Sequence, residues 1–225
     1  QLDFIIIGFD HIVNTLNSAL LQKIKSSFSI ITYIVDSGYE GPQSRFHCLS
    51  DISSMSKANC CYLVFPDDIK INLKKINKQG LNIFCLSQKF SKQSNNPKVI
   101  YADKSGDYFK YNNGKKYTFV AMGFAAYEVY ELMKNSIKFR DTDLFVITNP
   151  SFKKIEKILK SANKTKKIYL FDDSRSENRN LNELEILLRK QSKKINIKKF
   201  YRKENIKSLY PNPDKYLGEF DINKS

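Results

Sequence analysis

Short apolar runs rich in β-branched and aromatic residues recur along the whole chain, and the segments between them repeat their apolar positions every three to four residues. This alternation constrains the fold more than any other feature, because strands separated by helical crossovers lie parallel in a sheet with helices on its faces. The runs are SIITYIVD (29–36), CCYLVF (60–65), LNIFCLS (81–87), YTFVAMG (117–123), DLFVIT (143–148), KIYLFDD (167–173) and INIKKFY (195–201). Helical periods fill PDDIKINLKKIN, AAYEVYELMKN, SFKKIEKILKSA and NLNELEILLRKQ. The first of these opens on a proline and two acids, which suit the amino end of a helix macrodipole. The expected class is α/β with a mainly parallel sheet.

Polarity rises between Gln88 and Lys116, where SKQSNNPK and YNNGKK read as loops. The alternation resumes beyond, so the chain is expected to hold two consecutive domains, 1–102 and 117–210, joined by a linker at 103–116 and followed by a tail at 211–225. At a helical period, residues 3–25 place Phe4, Ile7, His11, Ile12 and Thr15 along one side with other apolar residues close by, predicting a helix buried over most of its circumference. The segment 47–57 reads as a short helix, and the loop 37–47 carries Gly38, Gly41 and Pro42 at a strand end, where ligand contacts gather. Asp172 and Asp173 tip a strand and read as a solvated end.

The chain has 38 Lys and Arg against 23 Asp and Glu, a formal charge of +15 over 225 residues. Such an excess suits nucleic acid, phosphorylated metabolites or anionic membranes. The lysines, however, are scattered in pairs such as Lys74-Lys75, Lys153-Lys154 and Lys198-Lys199, and aromatic residues do not interleave with them as a base-stacking platform requires. Solvated surface is the reading they favour, and nucleic acid is not the expected partner. The cysteines Cys48, Cys60, Cys61 and Cys85 lack zinc-ligand spacing and fit free thiols in a reducing compartment. His11 and His47 alone exclude a histidine-rich metal site. No apolar run reaches the roughly 20 residues of a membrane span. The opening run lacks a basic leader and a cleavage site, so a soluble cytoplasmic protein is expected, with Gln1 continuing from a longer one.

Particular residues carry a resemblance. The helix DFIIIGFDHIVN resembles the one that opens toward the cofactor in the pyrimidine-binding domain of transketolase-like thiamine diphosphate enzymes, with an aromatic residue at Phe4 and an acid six residues on at Asp10. The similarity runs through YIVDSGYEGPQ, HCLSDISSMSKANCCYLVFPDD with its Pro-x-Asp, and NIFCLSQK. In the last hundred residues, KKYTFVAMGFAAYEVYELM, NPSFKKIEKILKSANKTKKIYLFDD and SLYPNPDKYL are similar to the family's C-terminal domain. Transketolases, deoxyxylulose phosphate synthases and the beta subunits of 2-oxo acid dehydrogenases are the relatives in view. The resemblance implies an incomplete pyrimidine-binding domain followed by a transketolase C-terminal-like domain. It also implies a thiamine diphosphate-dependent transferase that moves a two-carbon or acyl unit between carbonyl compounds.

The same resemblance implies site residues. Phe4 would present its ring to the aminopyrimidine, or else fill the core, and Ile7 lies on the same helix face. His47 would hydrogen-bond a substrate oxygen as a catalytic residue, or cap the next helix. Glu40, Gln43 and Arg45 flank the Gly-Pro turn and would reach a small carbonyl or sugar substrate, with Arg45 offering a fork for phosphate, or contact only water. Gln88 stands where the family often has an Arg that grips substrate phosphate. Val35 replaces a histidine and Ile7 an aromatic or Arg. The activating Glu is implied upstream of this sequence, and the ligands of the diphosphate and its magnesium in another domain. Gly106-Asp107-Tyr108 is no Gly-Asp-Gly motif. A diphosphate-binding domain or subunit is therefore the expected partner, in a dimer or hetero-oligomer. The competing reading is a catalytically degenerate member that serves as an interaction or scaffold subunit, supported by the replacements at Val35, Ile7 and Gln88.

Overall fold

The structure is a computed structural model that describes residues 5, 8, 10–16, 18, 21–22, 27–34, 58–75, 79–87, 96–123, 125–150, 152, 154–172, 180–192 and 194–201. Two sheets follow one another along the chain, and the α/β class expected from the sequence is the one found.

The first sheet contains β1 (Ser27–Ile34), β2 (Asn59–Leu63) and β3 (Gly80–Ser87), all parallel, in the order β1-β3-β2. Central β3 is buried from Leu81 through Cys85, as a strand covered on both faces should be. The two edges differ. On β1, Phe28 is 38% and Ile31 53% exposed. On β2, Cys60, Cys61, Tyr62 and Leu63 are all buried, because the second sheet abuts that edge: the Tyr62 amide donates to the Thr148 carbonyl at 2.6 Å. An asparagine relay reinforces the joint, with Asn149 Nδ2 donating to Asn59 Oδ1 at 2.9 Å and Asn59 Nδ2 to Asn82 Oδ1 at 3.2 Å.

The second sheet has the order β4-β5-β7-β6-β8-β9, from β4 (Tyr101–Ala102), β5 (Tyr108–Asn112), β6 (Tyr117–Met122), β7 (Thr142–Ile147), β8 (Lys167–Asp172) and β9 (Asn196–Tyr201). β5 runs antiparallel to β4 and β7, and the other pairs are parallel. Its amphipathic helices are α2 (Ala125–Asn135), α3 (Glu156–Thr165) and α4 (Asn182–Gln191), and α1 (Pro66–Leu73) belongs to the first sheet. On one face Ser161 of α3 shares a 2.7 Å hydrogen bond with Thr118 of β6. The opposite face carries an aromatic layer, where Phe119 lies 5.2 Å from Tyr169, 5.1 Å from Phe171 and 5.3 Å from Phe139, all between ring centroids. Such pairs add about 0.5–1.5 kcal/mol each beyond burial.

Three expectations need correction. Within 103–116, read from the sequence as a linker, the structure places β5, whose Tyr108, Phe109 and Tyr111 are buried while Lys110 between them is ion-paired to Asp143 at 2.7 Å. Polar residues in this strand are thus neutralised inside the fold instead of marking a loop. On the opening helix, His11 and Thr15, expected along its buried side, are exposed together with Asp10 and Asn14, while Ile12 is buried, and His11–Leu16 winds as a π-helix. Asp172 is no solvated end. It is fully buried and accepts the Leu181 amide at 2.7 Å, which anchors the approach to α4. Its neighbour Asp173 lies outside the described residues.

Gly114 sits where no side chain fits, since a Cβ there would meet Thr142 N at 2.2 Å and the Asp141 carbonyl carbon at 2.4 Å. Backbone cannot retreat as a flexible side chain can. Gly114→Ala is expected to destabilise the protein by about 3 kcal/mol, the scale of a forced backbone shift. Urea denaturation of the two proteins measures this, and a loss under about 0.5 kcal/mol would contradict the packing described.

Candidate functional site at the carboxyl edge of the first sheet

Because β1, β2 and β3 are parallel, their carboxyl ends share one edge, the place where open α/β sheets bind ligands. The register puts Ile34 of β1 opposite Ser87 of β3 and Leu63 of β2 opposite Leu86. The chain therefore leaves the sheet toward 35–50, toward α1 and toward 88–95 from neighbouring points.

Of these three exits the structure describes the middle one closely. After Leu63 the chain turns through Val64 and Phe65 into α1, whose first turn carries Asp67 and Asp68. Asp68 is fully buried, and its carboxylate accepts the Val64 amide at 3.1 Å and the Phe65 amide at 3.0 Å. Asp67 accepts the Val99 amide at 2.9 Å. The amino end of this helix, which would otherwise attract an anion, is thus already occupied by the chain's own carboxylates. Phe65 then packs on Tyr111 of β5, 4.9 Å between centroids, and on Tyr130 of α2 at 6.0 Å.

Burial governs the chemistry of the groups found here. Desolvation pushes the Asp68 carboxyl well above the ordinary carboxylate range, although the two amides pull it the other way. The Tyr111 hydroxyl is buried beside Asp68 without a hydrogen bond of normal geometry, and burial together with that carboxyl raises its proton affinity. The Cys60 thiol is pushed up to about 12, first by burial and then by Cys61, and burial likewise raises Cys85. Both remain thiols near neutrality, so neither is a nucleophile. Among the described residues no group of three or more His, Cys, Asp or Glu could hold a metal ion. No described helix is long and apolar enough to cross a membrane.

The residues singled out from the sequence, Phe4, Ile7, Glu40, Gln43, Arg45, His47 and Gln88, all lie outside the described residues, as does Val35. What the structure brings together is the pair of strand ends that lead into them. Asp10 and His11 are described and exposed, with Asn14 Nδ2 donating to Asp10 Oδ1 at 2.5 Å. On sequence alone Asp68 reads only as a helix-starting acid. The Pro-Asp-Asp stretch directly after a fully apolar strand is the available sign that one of the two acids turns inward. Gly106, at φ +62°, closes the turn between β4 and β5, and its carbonyl accepts the Thr148 hydroxyl at 2.7 Å.

No protein-family model and no curated protein matches the chain. Solved structures do. A transketolase from Campylobacter jejuni subsp. jejuni NCTC 11168 superposes with a TM-score of 0.58 at 16% identity, over 85% of this chain and 29% of that one. A split-gene transketolase, described as an inactive beta4 tetramer, superposes with a TM-score of 0.59 at 13% identity, over 89% of this chain and 67% of that one. This chain thus has a transketolase-like fold and spans under a third of the length of the Campylobacter enzyme.

The raised affinity of Asp68 for its proton sets a sign. The folded state holds that proton at pH values where the unfolded chain, with an ordinary carboxyl near about 3.9, has released it. The contribution of Asp68 to stability is therefore complete below the unfolded value and falls as pH rises through the folded one. In Asp68→Asn this part of the pH dependence should vanish, which urea midpoints measured from pH 4 to 8 would reveal. An unchanged slope would show that the carboxyl titrates normally.

Proposed function

We propose that this chain forms the pyrimidine-domain and C-terminal part of a transketolase-like, thiamine diphosphate-dependent enzyme that transfers a two-carbon or acyl unit between carbonyl compounds. The observation that carries the reading is the pairing, in one chain, of a parallel β1-β3-β2 sheet with a following β4-β5-β7-β6-β8-β9 sheet, an arrangement that superposes on both transketolases over most of its length. Fold alone does not fix chemistry, so the reading also draws on the sequence motifs of the opening helix and the Gly-Pro loop.

Bound thiamine diphosphate would supply the carbanion chemistry that a transfer between carbonyl compounds needs. The resemblance puts the ligands of the diphosphate and its metal in another domain, so this chain's share would be the pyrimidine side. There Phe4 and Ile7 would pack on the heterocycle, and His47 would hydrogen-bond a substrate oxygen. Glu40, Gln43, Arg45 and Gln88 would read the substrate from the loops that leave adjacent ends of β1 and β3. A diphosphate-binding domain or subunit is needed to complete the site, and the split-gene neighbour supports an arrangement of several subunits.

The second reading, an interaction or scaffold subunit without catalysis, is favoured by one specific set of residues. Val35 stands where the family has a histidine for a sugar hydroxyl, Ile7 where it has an aromatic or Arg, and Gln88 where an Arg often grips substrate phosphate. The split-gene neighbour, itself an inactive assembly, points the same way.

Calorimetry of the full gene product, together with any subunit that copurifies with it, separates the two readings. Saturable binding of thiamine diphosphate with Mg²⁺ is expected under the first, and none under the second. In the assembled enzyme His47→Asn should lower kcat by about 10²–10⁴, the usual loss of an acid or base group. A variant with unchanged kcat would leave His47 as a helix cap.

A further inference from the structure

A row of laterally paired residues crosses one face of the second sheet: Tyr101, Lys110, Phe145, Val120, Leu170 and Lys199. Helix α3 packs against β6 and β8 on this face, where Ser161 and Thr165 bond Thr118. The β4-β5-β7 end is left as the floor of a groove of about 300 Å³ between sheet and helix.

Charge in this groove is unbalanced. Its floor is locally neutral, because Asp143 pairs with Lys110 at 2.7 Å and also accepts the Gly114 amide at 2.8 Å and the Ser161 hydroxyl. Its helix wall carries Lys157, Lys160 and Lys164, spaced i, i+3 and i+7 and so on one face. No carboxylate among the described residues is ion-paired with any of the three. Lys164 donates to the Gly114 carbonyl at 3.2 Å, and Lys157 Nζ lies 5.2 Å from the centre of the Tyr101 ring. Like charges at this spacing repel, and a cation in the first turn, as Lys157 is, opposes the helix macrodipole. A solvated helix face would gain nothing from that arrangement, whereas an anion bridging the lysines would relieve it.

We propose that this groove binds a small phosphorylated metabolite, its phosphate held by Lys157, Lys160 and Lys164 and its organic part resting on Ile100 and Tyr101. Three ammonium groups suit a phosphate as point charges from several sides. The volume lies at the lower end of small-molecule sites, which suits a sugar-sized phosphate ester and leaves no room for a run of stacked bases. Asp143, second residue of β7, places one side of the groove near the amino ends of the parallel strands. The groove is separate from the carboxyl edge of the first sheet, and its occupancy does not depend on the proposed enzymatic role.

The test is calorimetric titration of the full chain, with any copurifying subunit, using glycerol 3-phosphate and inorganic phosphate as probes. Saturable binding is expected, weakened at least about tenfold in K160Q/K164Q. The control K134Q/K138Q removes the same charge from exposed positions elsewhere and should change affinity less than about twofold. Unchanged thermal midpoints without ligand would show that both variants fold. Equal weakening in the two variants, no saturable binding at millimolar probe, or tighter binding of a single-stranded oligonucleotide than of either probe would overturn the proposal.

Discussion

The Asp68 carboxyl, sealed from water at the head of a short helix, fixes how one sheet meets the other. It accepts the amides of Val64 and Phe65, two donors that would be stranded in the interior without it. Each stranded donor costs about 1–3 kcal/mol. That capping sets the turn from β2 into α1, and the turn in turn delivers Phe65 to Tyr111 and Tyr130 of the second unit. With β2 held against the second sheet, Tyr62 can donate to Thr148, and the asparagines at 59, 82 and 149 can satisfy one another. The edge of β2 is therefore closed by the same chain. At the other edge, Phe28 and Ile31 of β1 are exposed among the described residues.

Much of this architecture is legible in the sequence because buried parallel strands must be apolar throughout. CCYLVF and YTFVAMG can hardly be anything else, and the helical periods between such runs imply the crossovers. β5 is hidden for a physical reason. Its YFKYN is rich in aromatics, a fair strand signal, but the lysine within it and the glycine and asparagines around it suggest a loop. Only the distant Asp143 reveals that Lys110 is paired and not solvated. Asp172 is hidden similarly: its partner, the Leu181 amide, lies nine residues onward, where a sequence pattern carries no mark of contact. The strand order of either sheet is not readable, since alternation specifies parallel neighbours without saying which. For the site, the sequence names residues on the loops and opening helix, and the structure describes only the strand ends that lead to them.

Net charge is the least informative feature of the sequence and becomes more informative once placed. A surplus of +15 spread over the chain argues for nothing in particular. At the carboxyl edge of the first sheet the described residues offer carboxylates and buried thiols, and the helix amino end is filled from within. On α3 the reverse holds, since Lys157, Lys160 and Lys164 face a groove whose one carboxylate is already engaged by Lys110, Gly114 and Ser161. Elsewhere the chain does balance exposed charge, as when Glu185 of α4 takes both Arg189 at 2.9 Å and Lys199 at 2.6 Å. Glu185 is held below the usual carboxylate range by those partners even though partial burial works against it.

This contrast bears on what each edge can hold. An anion approaching the described part of the first sheet's carboxyl edge would meet Asp67 and Asp68 in the first turn of α1, so any phosphate bound there must find its cations on the loops or on another chain. An anion entering the α3 groove meets ammonium groups whose mutual repulsion it reduces, and among the described residues lining it the carboxylate, Asp143, is already engaged. The two places thus call for different kinds of occupant. The first requires added parts to become a polyanion site, while the second has its cations, its aromatic floor and its neutralised carboxylate supplied by one chain.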